Sequence, residues 1–91
     1  MKYEWDVVKA ISNLRKHGVS FEEACEVFSD PLSITIGDPL YEEPGATREV
    51  LVGCTGKLRL LIVVFIEKED NMRIISARIA TLFERKLYEE I

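Results

Sequence analysis

Arg48, Arg59 and Arg78 fall where an antiparallel meander would gather them on one sheet face. A guanidinium presents a planar fork of donors that matches phosphate oxygens in pairs, so such a cluster is a place for phosphate. The placement follows from strand pairing. A symmetric turn at Lys68–Asn71 sets Arg78 opposite Leu61 and Arg59 opposite Ala80, which makes the two arginines diagonal neighbours. A two-residue turn at Thr55-Gly56 sets Arg48 opposite Val63 on that face, and Ser76 joins them. Arg73 then points to the other, helix-covered face. A slip of one residue would invert every assignment. The competing use of these arginines is ion pairing with local carboxylates such as Glu67 or Glu84.

A second set of polar groups lies near the start of the chain. Lys9, Asn13 and Lys16 recur at i, i+4, i+7, one side of a helix, with His17 beside the apolar stripe. A lone histidine is more often a cap or packing residue than a catalyst. Cys25 and Cys54 form no C-x-x-C pair, and one histidine with two scattered cysteines does not make a zinc site. No Gly-rich phosphate loop or nucleophile motif is present, so no metal or cofactor is expected and a small metabolic enzyme has little support.

The elements that would carry these groups are legible from period and punctuation. Lys2–Trp5 reads as a short edge strand. Val7, Ala10, Ile11 and Leu14 mark one helical face after Asp6 as N-cap, and Gly18 is a natural stop. Ser20-Phe-Glu-Glu23 has the capping-box pattern of a second helix, with Phe21, Ala24, Cys25 and Phe28 as its buried stripe. Cations at the end of one helix and carboxylates at the start of the next both suit the helix dipoles, without any ligand. Asp30-Pro31 ends the second helix. Strands follow at Leu32–Ile36, Arg48–Cys54, Leu58–Glu67 and Met72–Arg78, with an exposed loop from Gly37 to Ala46. Thr81-Leu-Phe-Glu84 opens a last helix through Ile91. The expectation is one α+β domain over residues 1–91, ordered β-α-α-β-β-β-β-α, an antiparallel meander with helices packed on one face.

Composition narrows the class. An apolar content of 47% with 31% charged residues fits a globular chain. The apolar run Leu60–Ile66 falls far short of the ~20 residues that span a bilayer, and no secretory signal is visible, so a cytoplasmic location away from membranes is expected. The net charge of −4 is unevenly spread: residues 1–21 carry +2, residues 22–49 carry −7 and residues 57–91 carry +1. The two ends can therefore still form a basic surface.

The strings "EWD…KA…NLRKHGVSFEEA…VFSDPL", "LRLLIVV" and "RIISARIAT…ER…Y" together resemble the BrnT-type toxins of bacterial type II toxin–antitoxin pairs. The resemblance runs nearly end to end and is weakest from Gly37 to Thr47. It implies a RelE-like fold and a metal-independent ribonuclease that stops translation. It also implies a DNA-binding antitoxin of ribbon-helix-helix type, similar to BrnA, with no direct DNA binding by the toxin alone. In such chemistry a base activates the ribose 2′-OH, arginines stabilise the developing charge, and an acid protonates the leaving 5′-oxygen. The positions that match are Lys9, His17, Arg59, Arg73, Arg78 and Tyr88. The resemblance assigns Arg59 and Arg78 to the phosphate and leaves Lys9, His17 and Tyr88 as proton-transfer groups. Arg48, Arg73, Lys16 and Asn13 are the further RNA contacts expected. One departure stands out: relatives commonly have a polar pair before the strand glutamate, as in V-H-T-E, where this chain has Phe65-Ile66-Glu67. The alternative is therefore a catalytically weak or silent module of the same fold, which holds an antitoxin and tunes repression of a shared operon.

Overall fold

The structure, a computed structural model, describes residues 2–37 and 47–90. The expected loop lies almost wholly outside the described residues, as does Ile91. The elements are β1 (Lys2–Glu4), α1 (Val7–His17), α2 (Phe21–Glu26), a 3-10 turn (Val27–Ser29), β2 (Ile34–Gly37), β3 (Thr47–Cys54), β4 (Leu60–Lys68), β5 (Asn71–Ile79) and α3 (Leu82–Glu89). This is the α+β order expected from the sequence. The sheet runs β1-β5-β4-β3-β2. It is mixed, because β1 pairs in parallel with β5 while the other neighbours are antiparallel.

The helix boundaries follow local chemistry. The Asp6 side chain accepts hydrogen bonds from the Val8 and Lys9 N–H groups at 2.8 and 3.2 Å. Gly18, at φ 68°, closes α1 and returns its N–H to the Leu14 carbonyl at 2.9 Å. Only a residue without a Cβ takes that left-handed turn at no steric cost. The Thr81 capping box is complete, with Glu84 answering the Thr81 N–H. At Ser20 only one half forms, since Ser20 Oγ accepts from Glu23 N–H while the Glu23 carboxylate turns elsewhere.

Two registers differ from the expectation. The β3–β4 connection runs from Thr55 to Arg59, so Cys54 pairs with Leu60 and Arg48 with Ile66, not Val63. The two-residue turn is replaced because the segment is tied down to α2: Gly56 N–H donates to Glu26 Oε1 at 2.8 Å and Thr55 Oγ1 to Glu23 Oε2 at 3.0 Å. Between β4 and β5 the symmetric turn holds near the tip, where Ile66 pairs with Arg73. A bulge beside Val64 and Phe65 then shifts the pairing, so that Arg78 faces Ile62 instead of Leu61. One extra residue on one strand reverses every side chain beyond it.

The reversal decides which face is which. Leu61, Val63, Phe65, Ile74 and Ala77 form the main core with Val19, Phe21, Ala24 and Val27 from the α1–α2 side. Leu60 and Ile62 lie on the opposite face, where they pack with Val52 and with Tyr88 of α3. The helices thus cover both faces, not one: α1 and α2 on one side, α3 on the other.

Candidate functional site

Arg48, Arg73 and Arg78 share the α3-side face. Across the sheet near the β4–β5 tip the row reads Glu4, Arg73, Ile66, Arg48. Two strand spacings put the Cα atoms of Arg48 and Arg73 about 10 Å apart. Arg73 is exposed, Arg48 and Ile66 are half-buried, and Val64 and Ser76 lie in the next row. Arg73 was expected on the helix-covered face; the bulge brings it round. Arg78 lies roughly 15 Å further along β5. Its Nη1 and Nη2 each donate to a Glu84 carboxylate oxygen at 2.7 Å, the local ion pairing weighed above as the competing use. Glu84 also accepts from Thr81 N–H at 2.8 Å. Hydrogen bonding from Arg78, opposed by burial and helped by Thr81, takes the Glu84 carboxyl from 4.5 down to about 2.

Arg59 stands apart from this group. It lies on the α1–α2 side, so the expected diagonal pair with Arg78 does not form. Its Nε and Nη2 donate to the two oxygens of Glu23 at 2.9 and 2.6 Å, and Nη2 also reaches the Gly18 carbonyl at 3.0 Å. Glu23 is 6% exposed. The Arg59 hydrogen bonds hold its carboxyl below the usual carboxylate range, against burial and with help from Thr55. This one side chain ties the β3–β4 turn to the α1–α2 junction.

The α1 residues divide as well. Lys9, Lys16 and His17 are exposed. Asn13 is 7% exposed and its amide is fully engaged. Its Nδ2 donates to the carbonyls of Ala77 at 2.8 Å and Val19 at 3.0 Å, and its Oδ1 accepts from Ala77 N–H at 3.1 Å. Beyond the end of β1, this amide occupies the open edge of β5 as a neighbouring strand would. Asn13 therefore faces inward and offers nothing to RNA, contrary to the expectation that set it beside Lys9 and Lys16.

Tyr88 is also occupied. Its hydroxyl donates to Asp30 Oδ2 at 2.6 Å, and that oxygen accepts Cys54 N–H at 2.8 Å. The Asp30 hydrogen bond and burial push the phenol well above its ordinary value, so it holds its proton at neutral pH. Burial opposes ionisation of Asp30, but the bonds from Cys54, Tyr88 and Leu32 outweigh it and keep the carboxyl low. Gly53 makes room for this joint. A Cβ there would sit 2.8 Å from Val27 Cγ1 and 3.1 Å from Asp30 Oδ2.

Sequence reasoning missed Glu23 and Asp30 as the acceptors that organise these cations and hydroxyls. In the sequence Glu23 completes a capping-box pattern and Asp30 marks a helix stop; the partners of Asp30 lie 24 and 58 residues away. Among the described residues no group of three or more His, Cys, Asp or Glu is arranged to hold a metal, and no helix is long and apolar enough to cross a membrane.

No curated protein matches the chain. The 1.1 Å crystal structure of the Brucella abortus ribonuclease toxin BrnT is similar with a TM-score of 0.67 at 24% identity, over 89% of this chain and 97% of that one. At that identity the likeness establishes the fold. Residues 5–84 match the family described as the ribonuclease toxin BrnT of type II toxin–antitoxin systems. With most of its length inside that match, the chain belongs to the BrnT family of ribonuclease toxins.

Proposed function

We propose that this protein is a metal-independent endoribonuclease that stops translation until a cognate antitoxin, of ribbon-helix-helix type, neutralises it. The observation that carries the reading is the row of Arg73 and Arg48 bracketing Ile66 on one sheet face. Two arginines on one face can each pair with a phosphate of an RNA strand laid across it, and the half-buried Val64 and Ile66 offer an apolar floor for a base. Arg78, steadied by Glu84, is the third cation of that face. In the reaction the 2′-oxygen loses its proton and attacks the adjacent phosphorus. The bond to the 5′-oxygen breaks, and that oxygen takes up a proton. The products are a 2′,3′-cyclic phosphate and a 5′-hydroxyl. Fixed positive charge at the phosphoryl oxygens is the main contribution asked of this face. Lys9, Lys16 and His17 lie on α1, which covers the other side of the sheet, and take no part in this contact. Tyr88 and Asn13 are given structural roles.

The test is induced expression of the chain alone, with growth recorded. Arrest is expected, and Arg48→Ala with Arg73→Ala should relieve it at equal protein level. Normal growth of cells expressing the unmutated chain would replace the enzyme by the second reading, a silent module that holds the antitoxin. That reading is favoured by one observation. Of the Phe65-Ile66 pair, Phe65 is buried in the core and Ile66 stands between the two arginines, so an apolar residue occupies the centre of the face.

A further inference from the structure

Helix α1 presents apolar side chains to solvent. Val7 is 66% exposed, Val8 74%, Ile11 49% and Leu14 51%. The period sets Val7, Ala10, Ile11 and Leu14 on one helical face, yet the residues turned inward are Ala10 and Asn13. The helix cannot roll to bury the strip, because the three hydrogen bonds of Asn13 to Ala77 and Val19 fix its rotation. A buried amide where an apolar residue would fit, beside an apolar strip left outside, marks an interaction surface. Two shallow grooves flank Ile11. One of about 430 Å³ is lined by Val8, Ile11, Ser12, Arg15 and Lys16. The other, of about 320 Å³, includes Trp5, Val7, Leu14 and Glu22.

Charge decides the occupant. Between Val7 and His17 the helix carries Lys9, Arg15 and Lys16 and no carboxylate, in a chain whose net charge is −4. A second copy of α1 would bring like charges together. An apolar strip with a basic border fits an amphipathic helix whose apolar face is edged with Asp and Glu, the groove mode of peptide recognition.

We propose that the outward strip of α1, centred on Val8, Ile11 and Leu14 and bordered by Arg15 and Lys16, docks an acidic amphipathic helix of the antitoxin. The proposal rests on the reading that an antitoxin neutralises this chain. It places that partner on the side of the sheet away from Arg48 and Arg73.

The experiment uses the full chain co-expressed with the protein encoded beside it. Hydrogen exchange is compared between the free toxin and the co-purified complex. Binding is then measured for Val8→Ser with Ile11→Ser and, separately, for Arg15→Glu, after melting curves show that each variant folds. Protection over residues 7–17 on binding is expected. So are a loss of affinity of at least tenfold in the apolar variant and slower, less salt-sensitive association in Arg15→Glu. A complex with α1 unprotected and both variants binding normally overturns the docking site while leaving the antitoxin reading intact. A toxin that arrests growth yet captures no partner overturns the docking site and the antitoxin reading, but not the enzyme. A toxin dimer abolished by Ile11→Ser, in the absence of any partner, shows instead that a second copy occupies the strip.

Discussion

Arg59 holds Glu23 through two nitrogens at 2.9 and 2.6 Å, joining the β3–β4 connection to the first turn of α2. The pair fastens the α1–α2 junction around Gly18. Arg59 bonds the Gly18 carbonyl on one side and a carboxylate of the next helix on the other. Arg59→Ala is therefore expected to lower the melting temperature by several degrees, because it leaves Glu23 buried with only Thr55 as partner. Arg59→Lys should recover only part of the loss, since an ammonium cannot match both oxygens. A thermal melt decides, and an unchanged midpoint for Arg59→Ala would remove the structural role assigned here.

Asn13→Ala strips hydrogen-bond partners from Ala77 N–H, Ala77 C=O and Val19 C=O in a buried place. A destabilisation of about 2–3 kcal/mol is expected, which lowers the melting temperature by about 10 °C or more in a domain of this size. Asn13→Asp keeps the shape but loses both donors, and should be little better. Urea unfolding of the three proteins checks this; a cost under about 0.5 kcal/mol for Asn13→Ala, the range of an ordinary surface substitution, would contradict it.

Acid should loosen α3 in a defined window. The Glu84 carboxyl falls from 4.5 when unpaired to about 2 in the fold, where Arg78 holds it ionised. A depressed carboxyl contributes stability above its unfolded value and loses it as pH falls through the folded one. This contribution is thus constant from pH 8 to about pH 5 and fades between about pH 4.5 and 2. Glu84→Gln should be less stable near neutrality and show a shallower acid decline. Equal acid slopes in the two proteins would count against the pairing.

Tyr88→Phe removes the hydroxyl that binds Asp30. About 1.5–3 kcal/mol of stability should go with it, the range of a hydrogen bond to a charged group. RNA cleavage should survive at temperatures where the variant is folded. Loss of cleavage in a fully folded Tyr88→Phe protein would return this residue to the proton-transfer groups.

Local chemistry made the elements legible: Asp6, Gly18, Ser20 and Thr81 act as caps where their side chains and spacing required. Long-range register was less accessible. The bulge beside Phe65 leaves no mark in an unbroken apolar strand, and the three-residue difference at the Thr55–Arg59 connection depends on bonds to Glu23 and Glu26. Because strand side chains alternate with period two, these shifts kept Arg48 and Arg78 on one face but moved Arg73 onto it and Arg59 off it. The apolar stripe of α1 misled for a different reason. Periodicity shows that a helix has an apolar side, and not whether its own core or a partner receives it.

Cleavage of a defined RNA by the purified protein in EDTA is the most direct measurement. It should be run beside Arg48→Ala with Arg73→Ala and beside Glu84→Gln. The expected result is cleavage undiminished by chelator, leaving a 2′,3′-cyclic phosphate and a 5′-hydroxyl. The double arginine variant should lose about 100-fold in rate at a temperature where its melting curve shows it folded. Cleavage abolished by EDTA and restored by a divalent ion would contradict the proposed chemistry, and full activity in the double variant would show that this sheet face is not where RNA is cut.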